Sequence, residues 1–277
     1  MSTQMQTCYR HGDRKAGVIC QRCDRPICPS CMHQASVGFH CPECTKSGAQ
    51  KVIKASQLVT RPVVTYALIA VNVVIYLACV GSGLQTRPNV VLDYGLLGQG
   101  FFNGQEIGVA AGEYYRLVTG GFLHANLIHV LMNMLALYQL GLLLEPAFGR
   151  LRFGTVYMAS MGAGALGVMI LHPDNLTVGA SGAVFGLMGF AFMAMRARGI
   201  DPFSTGLGGT IVINLILTFT LSGYISVGGH IGGLIGGVIC GWVLMDVGPK
   251  QLKDDRAILG AVAALGAAAF LAAILVA

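Results

Sequence analysis

Four residues of hydrolytic type stand where the surrounding sequence is apolar: Ser181, His230, His129 and Asn133. A polar or ionisable side chain inside a long apolar run is costly, so it marks function by default. The plainer alternative is interhelical hydrogen bonding, which is common for Ser and Asn but less so for two His in different runs. Ser181 lies in Gly179-Ala180-Ser181-Gly182 at the start of an apolar run. The glycines allow close backbone approach, and N–H groups at a helix start can bind an oxyanion. His230 lies in Gly228-Gly229-His230-Ile231-Gly232-Gly233, and Gly229, Gly233, Gly237 and Gly241 fall on one helix face. That face can pack closely against Gly182, Gly186 and Gly189, which would bring Ser181 within hydrogen-bond reach of His230 as nucleophile and base.

A second kind of chemistry is confined to the N-terminus. Seven of the 9 cysteines lie between Cys8 and Cys44, in the pairs Cys8/His11, Cys20/Cys23, Cys28/Cys31 and Cys41/Cys44. Each pair has two intervening residues, so one tight turn aims two donors at one metal, and eight donors make two closed tetrahedral zinc sites. A disulfide framework fits less well, because one donor is a His and the cysteines of the cluster are odd in number. His33 and His40 are spare, His40 being the better substitute ligand. So small a domain is expected to need its metals to fold, and closed sites point to binding and not to chemistry.

These residues must be positioned by a membrane fold. The chain has 277 residues, of which 11% are charged and 54% hydrophobic; ordinary soluble domains carry about 25% charged residues. Apolar runs near Val63–Val80, Leu127–Leu144, Phe153–Leu171, Ser181–Met195, Gly208–Tyr224, Gly229–Met245 and Ala257–Ala277 predict seven transmembrane helices. The expected organisation is a cysteine-rich domain over residues 1–45, a basic linker over 46–62, and a membrane domain over 63–277. With the first domain placed in the cytoplasm, all but Arg87 and Arg116 of the 18 Lys and Arg fall on the cytoplasmic side. The positive-inside rule then sets the N-terminus inside and the C-terminus outside, and a bacterial plasma membrane is the expected location. The same bias explains the net charge of +6, so nucleic acid is not an expected partner. In this orientation His129, Ser181 and His230 all lie a few residues below the external face, where water can reach them. The segment from Gly81 to Ala125 forms a long external connection expected to pack on the membrane surface.

In combination these motifs resemble the rhomboid intramembrane serine proteases. Gly179-x-Ser181-Gly182, Gly229-His230 with its glycine stripe, and His124-x4-His129-x3-Asn133 match three separated family motifs over residues 63–277. The resemblance implies an all-α polytopic fold, a six-helix core plus one extra C-terminal helix. It implies Ser181 as nucleophile, His230 as general base and then acid, and His129 and Asn133 as donors to the oxyanion, with His124 structural. Phe185 stands for the aromatic that stacks on the catalytic His, and with no acidic third member in view the base is oriented by Phe185 alone. Glu145 and Arg150 fit a polar turn after the second span, and Tyr115-Arg116 stands where the family carries Trp-Arg. Residues 8–44 resemble a B-box-type zinc finger. That resemblance implies cross-braced pairing: Cys8, His11, Cys28 and Cys31 on one ion, Cys20, Cys23, Cys41 and Cys44 on the other.

The function expected from these readings is a serine endopeptidase that hydrolyses peptide bonds in or next to transmembrane helices through a Ser181–His230 dyad. Its partners are transmembrane-helix substrates and the lipid bilayer, and three roles stay open for the zinc domain: recruiting a cytoplasmic protein partner, regulating the protease or aiding assembly; no catalytic cofactor is required. The alternative is a catalytically silent rhomboid-like binder of membrane helices. A solute transporter fits less well, since the spans carry almost no polar residue at mid-depth beyond Asn214.

Overall fold

The computed structural model describes residues 6–47, 61–252 and 254–277. The chain divides into two compact units, Met1–Leu58 and Val59–Ala277. Most of the basic linker at 46–62 lies outside the described residues.

The first unit has strands of two residues only. β1 (Val18–Ile19) pairs antiparallel with β2 (Pro26–Ile27), β3 (His33–Gln34) pairs with β4 (Phe39–His40), and α1 (Pro42–Ser47) follows. Among its described residues Cys8, Cys20, Ile27, Cys28, Cys31 and Cys41 are buried. One aliphatic side chain among five cysteines is far too little apolar surface to stabilise a domain, so the sulfurs themselves must be the organising centre.

The second unit is helical. It begins with α2 (Val63–Cys79) and a connecting segment that holds α3 (Pro88–Tyr94), a hairpin of β5 (Gly100–Phe102) and β6 (Gln105–Ile107), and the short α4 (Arg116–Thr119). Then come α5 (Leu127–Phe148), α6 (Arg150–Leu171), α7 (Ser181–Ala197) and α8 (Leu207–Thr220). α9 (Val227–Trp242) passes through a π turn, Val243–Val247, into α10 (Gly248–Gln251), and α11 (Asp255–Val276) closes the chain. Among the described residues four helical stretches are long and apolar enough to cross a membrane: α5, α6, Val227–Gln251 and α11. α2, α7 and α8 are shorter apolar helices. The seven apolar runs therefore all become helices, with shifted ends. The fifth stops at Thr220 and not at Tyr224, since Leu221 leaves the helical conformation at φ −108° and ψ 30°; the last starts at Asp255, because the Asp254 side chain accepts the Arg256 N–H as its cap.

α9 packs against both α6 and α7, α11 lies on α6, and α2 lies on α5. Large apolar side chains such as Val74, Leu77, Ile128, Ile213 and Leu271 point outwards, while Thr65, Asn72, Asn133, Ser160, Thr218 and His230 are buried. That inside-out distribution suits a lipid surround.

Two buried charges hold this unit's polar edges. Glu145 is 1% exposed, and its carboxylate accepts the Val64 N–H at 2.9 Å, the Thr65 N–H at 2.8 Å and the Thr65 hydroxyl at 2.7 Å. A carboxylate from the end of α5 thus caps the start of α2, where the helix dipole favours an anion. The sequence reading of Glu145 as part of a local turn misses this, since its partners lie about eighty residues earlier.

Arg116 is 2% exposed and ties the connecting segment together. Its Nε donates to Glu113 at 2.7 Å, and its guanidinium donates to the carbonyls of Leu92 at 2.6 Å and Gly95 at 2.9 Å. Burial alone would raise the Glu113 carboxyl, but Arg116 and the Gly108 N–H hold it below its usual range. A depressed carboxylate stabilises the fold above its unfolded pKa and loses that contribution as pH falls through the folded value. The stability gap between the parent and Glu113→Gln should therefore be full at neutral pH and shrink below about pH 4; thermal unfolding across that range measures it.

Candidate active site and metal centres

The four polar residues singled out in the sequence are drawn from three helices that start at the same end of the bundle. Asn126 caps α5 by accepting the His129 N–H at 2.9 Å, which places His129 in the first turn and Asn133 one turn further in. α7 begins at Ser181 with no side-chain cap, and its first intrahelical bond is Val184 N–H to Ala180 O at 3.0 Å. The N–H groups before Val184 are thus available to a ligand. Ser226 caps α9 by accepting the Gly229 N–H at 3.1 Å, which sets His230 in its first turn.

His129, Asn133, Ser181, Phe185, Asn214 and His230 line one open cavity of about 890 Å³. The Phe185 ring stacks on the His230 imidazole at 4.0 Å between centroids and 20° between planes. Among the described residues Ser181 Oγ has no hydrogen-bond partner, so Ser181 and His230 are brought to one cavity without a formed bond between them; such bonds are often loose in a free enzyme.

Close helix packing makes this meeting possible. A Cβ placed on Gly233 would stand 1.9 Å from Gly182 O, and one on Gly237 would stand 1.7 Å from Gly186 O. Both are below any real contact, so α7 and α9 touch backbone to backbone. Gly237→Ala should force the helices apart and lower the stability of this unit by about 1 to 3 kcal/mol, the usual cost of overpacking. Gly260→Ala, where a Cβ meets nothing within 4 Å, is the control; thermal unfolding of the two variants decides the point.

Gly179 is required for another reason. Its φ is +128°, and a Cβ there would lie 2.7 Å from His129 Nε2. The same point is 3.6 Å from Ser181 Oγ, so His129 Nε2 and Ser181 Oγ flank the small gap that glycine leaves. The Ala125 N–H points to His129 Nδ1 at 3.5 Å, an arrangement that puts the ring proton on Nε2 and aims a donor at the gap. Asn133 Nδ2 spends one proton on His129 O at 3.0 Å and retains a second. His124 is fully buried, edge-on to His129 at 5.0 Å, and its carbonyl accepts the Thr86 hydroxyl.

One expectation is corrected. Phe185 does not orient His230 alone, because Thr218 Oγ1 lies 2.7 Å from His230 Nδ1 and is fully buried. Sequence reasoning missed Thr218, since a Thr in an apolar helix is commonplace; the one available signal was its place four residues after Asn214.

The Cys/His unit brings its eight donors into two groups. Cys8, His11, Cys28 and Cys31 form one, and Cys20, Cys23, Cys41 and Cys44 the other, each with all ligand atoms within 4.8 Å of one another. His11 Nδ1 lies 3.9, 3.4 and 3.3 Å from the sulfurs of Cys8, Cys28 and Cys31, and the Cys23 and Cys41 sulfurs are 3.7 Å apart. A tetrahedral zinc with bonds of about 2.0 to 2.3 Å needs donor separations of roughly 3.3 to 3.8 Å, so the residues fit such an ion. No cysteine is in a disulfide. The Ser30 hydroxyl, 3.1 Å away, helps hold the Cys28 thiol down at about 6, whereas burial and the neighbouring sulfurs push Cys31 up to about 11. Thiols split in this way crowd too much negative charge for all to ionise without a cation. His33 and His40 face each other across the β3–β4 pair and belong to neither group.

Comparison with known proteins adds one decisive observation: residues 111–247 match the model of the Rhomboid domain. The chain carries a rhomboid domain. The match begins ahead of α4 and ends with the π turn after α9, so it contains the whole cavity, and it leaves the Cys/His unit outside. Among its relatives are Rhomboid protease GluP of Bacillus subtilis (strain 168), 31% identical over 174 residues, which are 62% of this chain and 32% of the relative. Rhomboid-like protease 1 of Toxoplasma gondii is 33% identical over 177 residues, 58% of this chain and 59% of the relative. RHOMBOID-like protein 1 of Arabidopsis thaliana is 47% identical over 77 residues, 28% of this chain and 20% of the relative. The chain thus spans between a fifth and three fifths of these relatives' own lengths. With its apolar helices, the rhomboid domain makes this an integral membrane protein.

Proposed function

We propose that the rhomboid domain is an intramembrane serine endopeptidase, cutting peptide bonds in or next to the transmembrane helices of other membrane proteins. The observation that carries the reading is the convergence of Ser181, His230, His129 and Asn133 on one cavity at one end of the bundle. Two relatives that match this chain are named as proteases.

In this reading Ser181 Oγ attacks the scissile carbonyl while its proton passes to His230 Nε2. Negative charge develops on the carbonyl oxygen in the gap beside Gly179, where the Ser181 N–H, His129 Nε2–H and Asn133 Nδ2–H are the donors. His230 then gives its proton to the leaving amine, and water drawn from the cavity hydrolyses the acyl-enzyme with His230 again as base. Substrate helices must unwind before their carbonyls can be attacked, so small or helix-weakening residues near the cut are favoured. The Lys and Arg distribution supports an orientation with the Cys/His unit in the cytoplasm, the cavity open to the external side and the C-terminus outside.

The Cys/His unit holds two structural zinc ions in this reading, with the two four-residue groups as ligands, and serves as a docking module for a cytoplasmic partner. The test of the protease reading is a transmembrane reporter in proteoliposomes. The parent chain should release a fragment and Ser181→Ala should not; a folded parent that cuts no reporter, yet binds them, would replace the protease by a helix binder.

A further inference from the structure

We propose that Thr218 is the third member of the catalytic arrangement, a positioning residue that holds His230 in its base-competent form; the inference rests on the protease reading above. Thr218 lies near the end of α8 and is fully buried, with Oγ1 2.7 Å from His230 Nδ1 and 2.7 Å from the Asn214 carbonyl oxygen. A hydroxyl has one proton and two lone pairs. A carbonyl oxygen cannot donate, so the bond to Asn214 O is made only by the Thr218 proton. Thr218 Oγ1 then faces His230 with a lone pair, and the partner it accepts is the Nδ1–H. With its proton on Nδ1, the neutral ring leaves Nε2 bare and able to take a proton from Ser181 Oγ.

The same geometry suits the step that follows. Once Nε2 is protonated both ring nitrogens are donors, and Thr218 Oγ1 accepts the Nδ1–H of the imidazolium without any rearrangement. The relay from His230 through Thr218 to the Asn214 carbonyl thus does for the ring what a buried carboxylate does in a Ser-His-Asp triad, with a neutral acceptor in place of a charged one. A neutral acceptor is the cheaper choice here, because an unpaired carboxylate at membrane depth would itself need a cation. Phe185 fixes the plane of the imidazole by stacking, which leaves rotation within that plane free; the hydrogen bond to Thr218 removes that freedom.

Three variants test this in proteoliposomes, alongside Ser181→Ala as the blank. Thr218→Val keeps shape and loses the hydroxyl, Thr218→Ser keeps the hydroxyl and loses the methyl, and Thr218→Ala serves the same comparison should the valine variant fail to insert. The expected result is kcat lower by about 10- to 100-fold in Thr218→Val with KM within about twofold, a parallel fall in the rate at which a fluorophosphonate labels Ser181, and recovery to within about threefold of the parent in Thr218→Ser. Parent-like kcat and labelling in Thr218→Val overturns the inference, and so does a serine variant as impaired as the valine one, which would mark a packing role. A parent that neither cuts nor labels removes the protease reading and this inference with it, whereas a parent that does both while Thr218→Val matches it removes the inference alone.

Discussion

Ser181→Ala and His230→Ala should each lower cleavage of a transmembrane reporter by roughly 10⁴-fold or more, and the double variant should be no worse than either alone. The reason is that in the proposed reaction the two side chains act as one device. Without His230 the hydroxyl of Ser181 has no base, and without Ser181 the base has nothing to activate. The donors that line the cavity, namely His129 Nε2 beside Gly179, Asn133 Nδ2 and the free N–H groups at the start of α7, remain in all three variants. What they supply on their own sets the residual rate. Asn133→Ala should then cost less, about 10²- to 10³-fold, as expected for one oxyanion donor among several. Additive losses in the Ser181/His230 double variant would mean that the two residues serve separate steps and would sink the dyad.

A strong chelator should unfold the Cys/His unit completely while leaving the rhomboid domain folded. Among its described residues the unit buries one aliphatic side chain, Ile27, with its cysteines. In the proposed reading its stability comes from metal–ligand bonds, worth about 10 to 16 kcal/mol per structural zinc site at neutral pH. Loss of near-ultraviolet and amide-exchange protection confined to residues 6–47, with two equivalents of zinc released, is the expected outcome. Cys28→Ser combined with Cys31→Ser should release one equivalent, since both sit in one group. Release of both ions from that double variant would contradict the two-group arrangement, and a unit that stays protected after full chelation would contradict the metal requirement. Reporter cleavage should survive chelation, because no catalytic step invokes the metals.

Much of this was legible in the sequence because the membrane makes polar residues conspicuous. An apolar run that contains Ser181 or His230 carries its own signal, and the two-residue spacing of a CxxC pair brings its donors together by itself. The glycine stripes of Gly182 and Gly186 against Gly233 and Gly237 were equally readable, since only a missing side chain allows backbones to touch.

What the sequence by itself determined, then, was composition-borne: a helical membrane fold, seven apolar helices, a Cys/His unit with paired donors, and the identity of four polar residues. The tertiary structure alone decided which distant groups complete them. Glu145 reaches back to cap α2, Arg116 gathers the carbonyls of Leu92 and Gly95, and Thr218 meets His230 across two helices. The physical reason is that hydropathy and spacing are local along the chain, whereas a hydrogen bond depends on the position of two atoms to within a few tenths of an ångström. That precision exists only after the helices have packed.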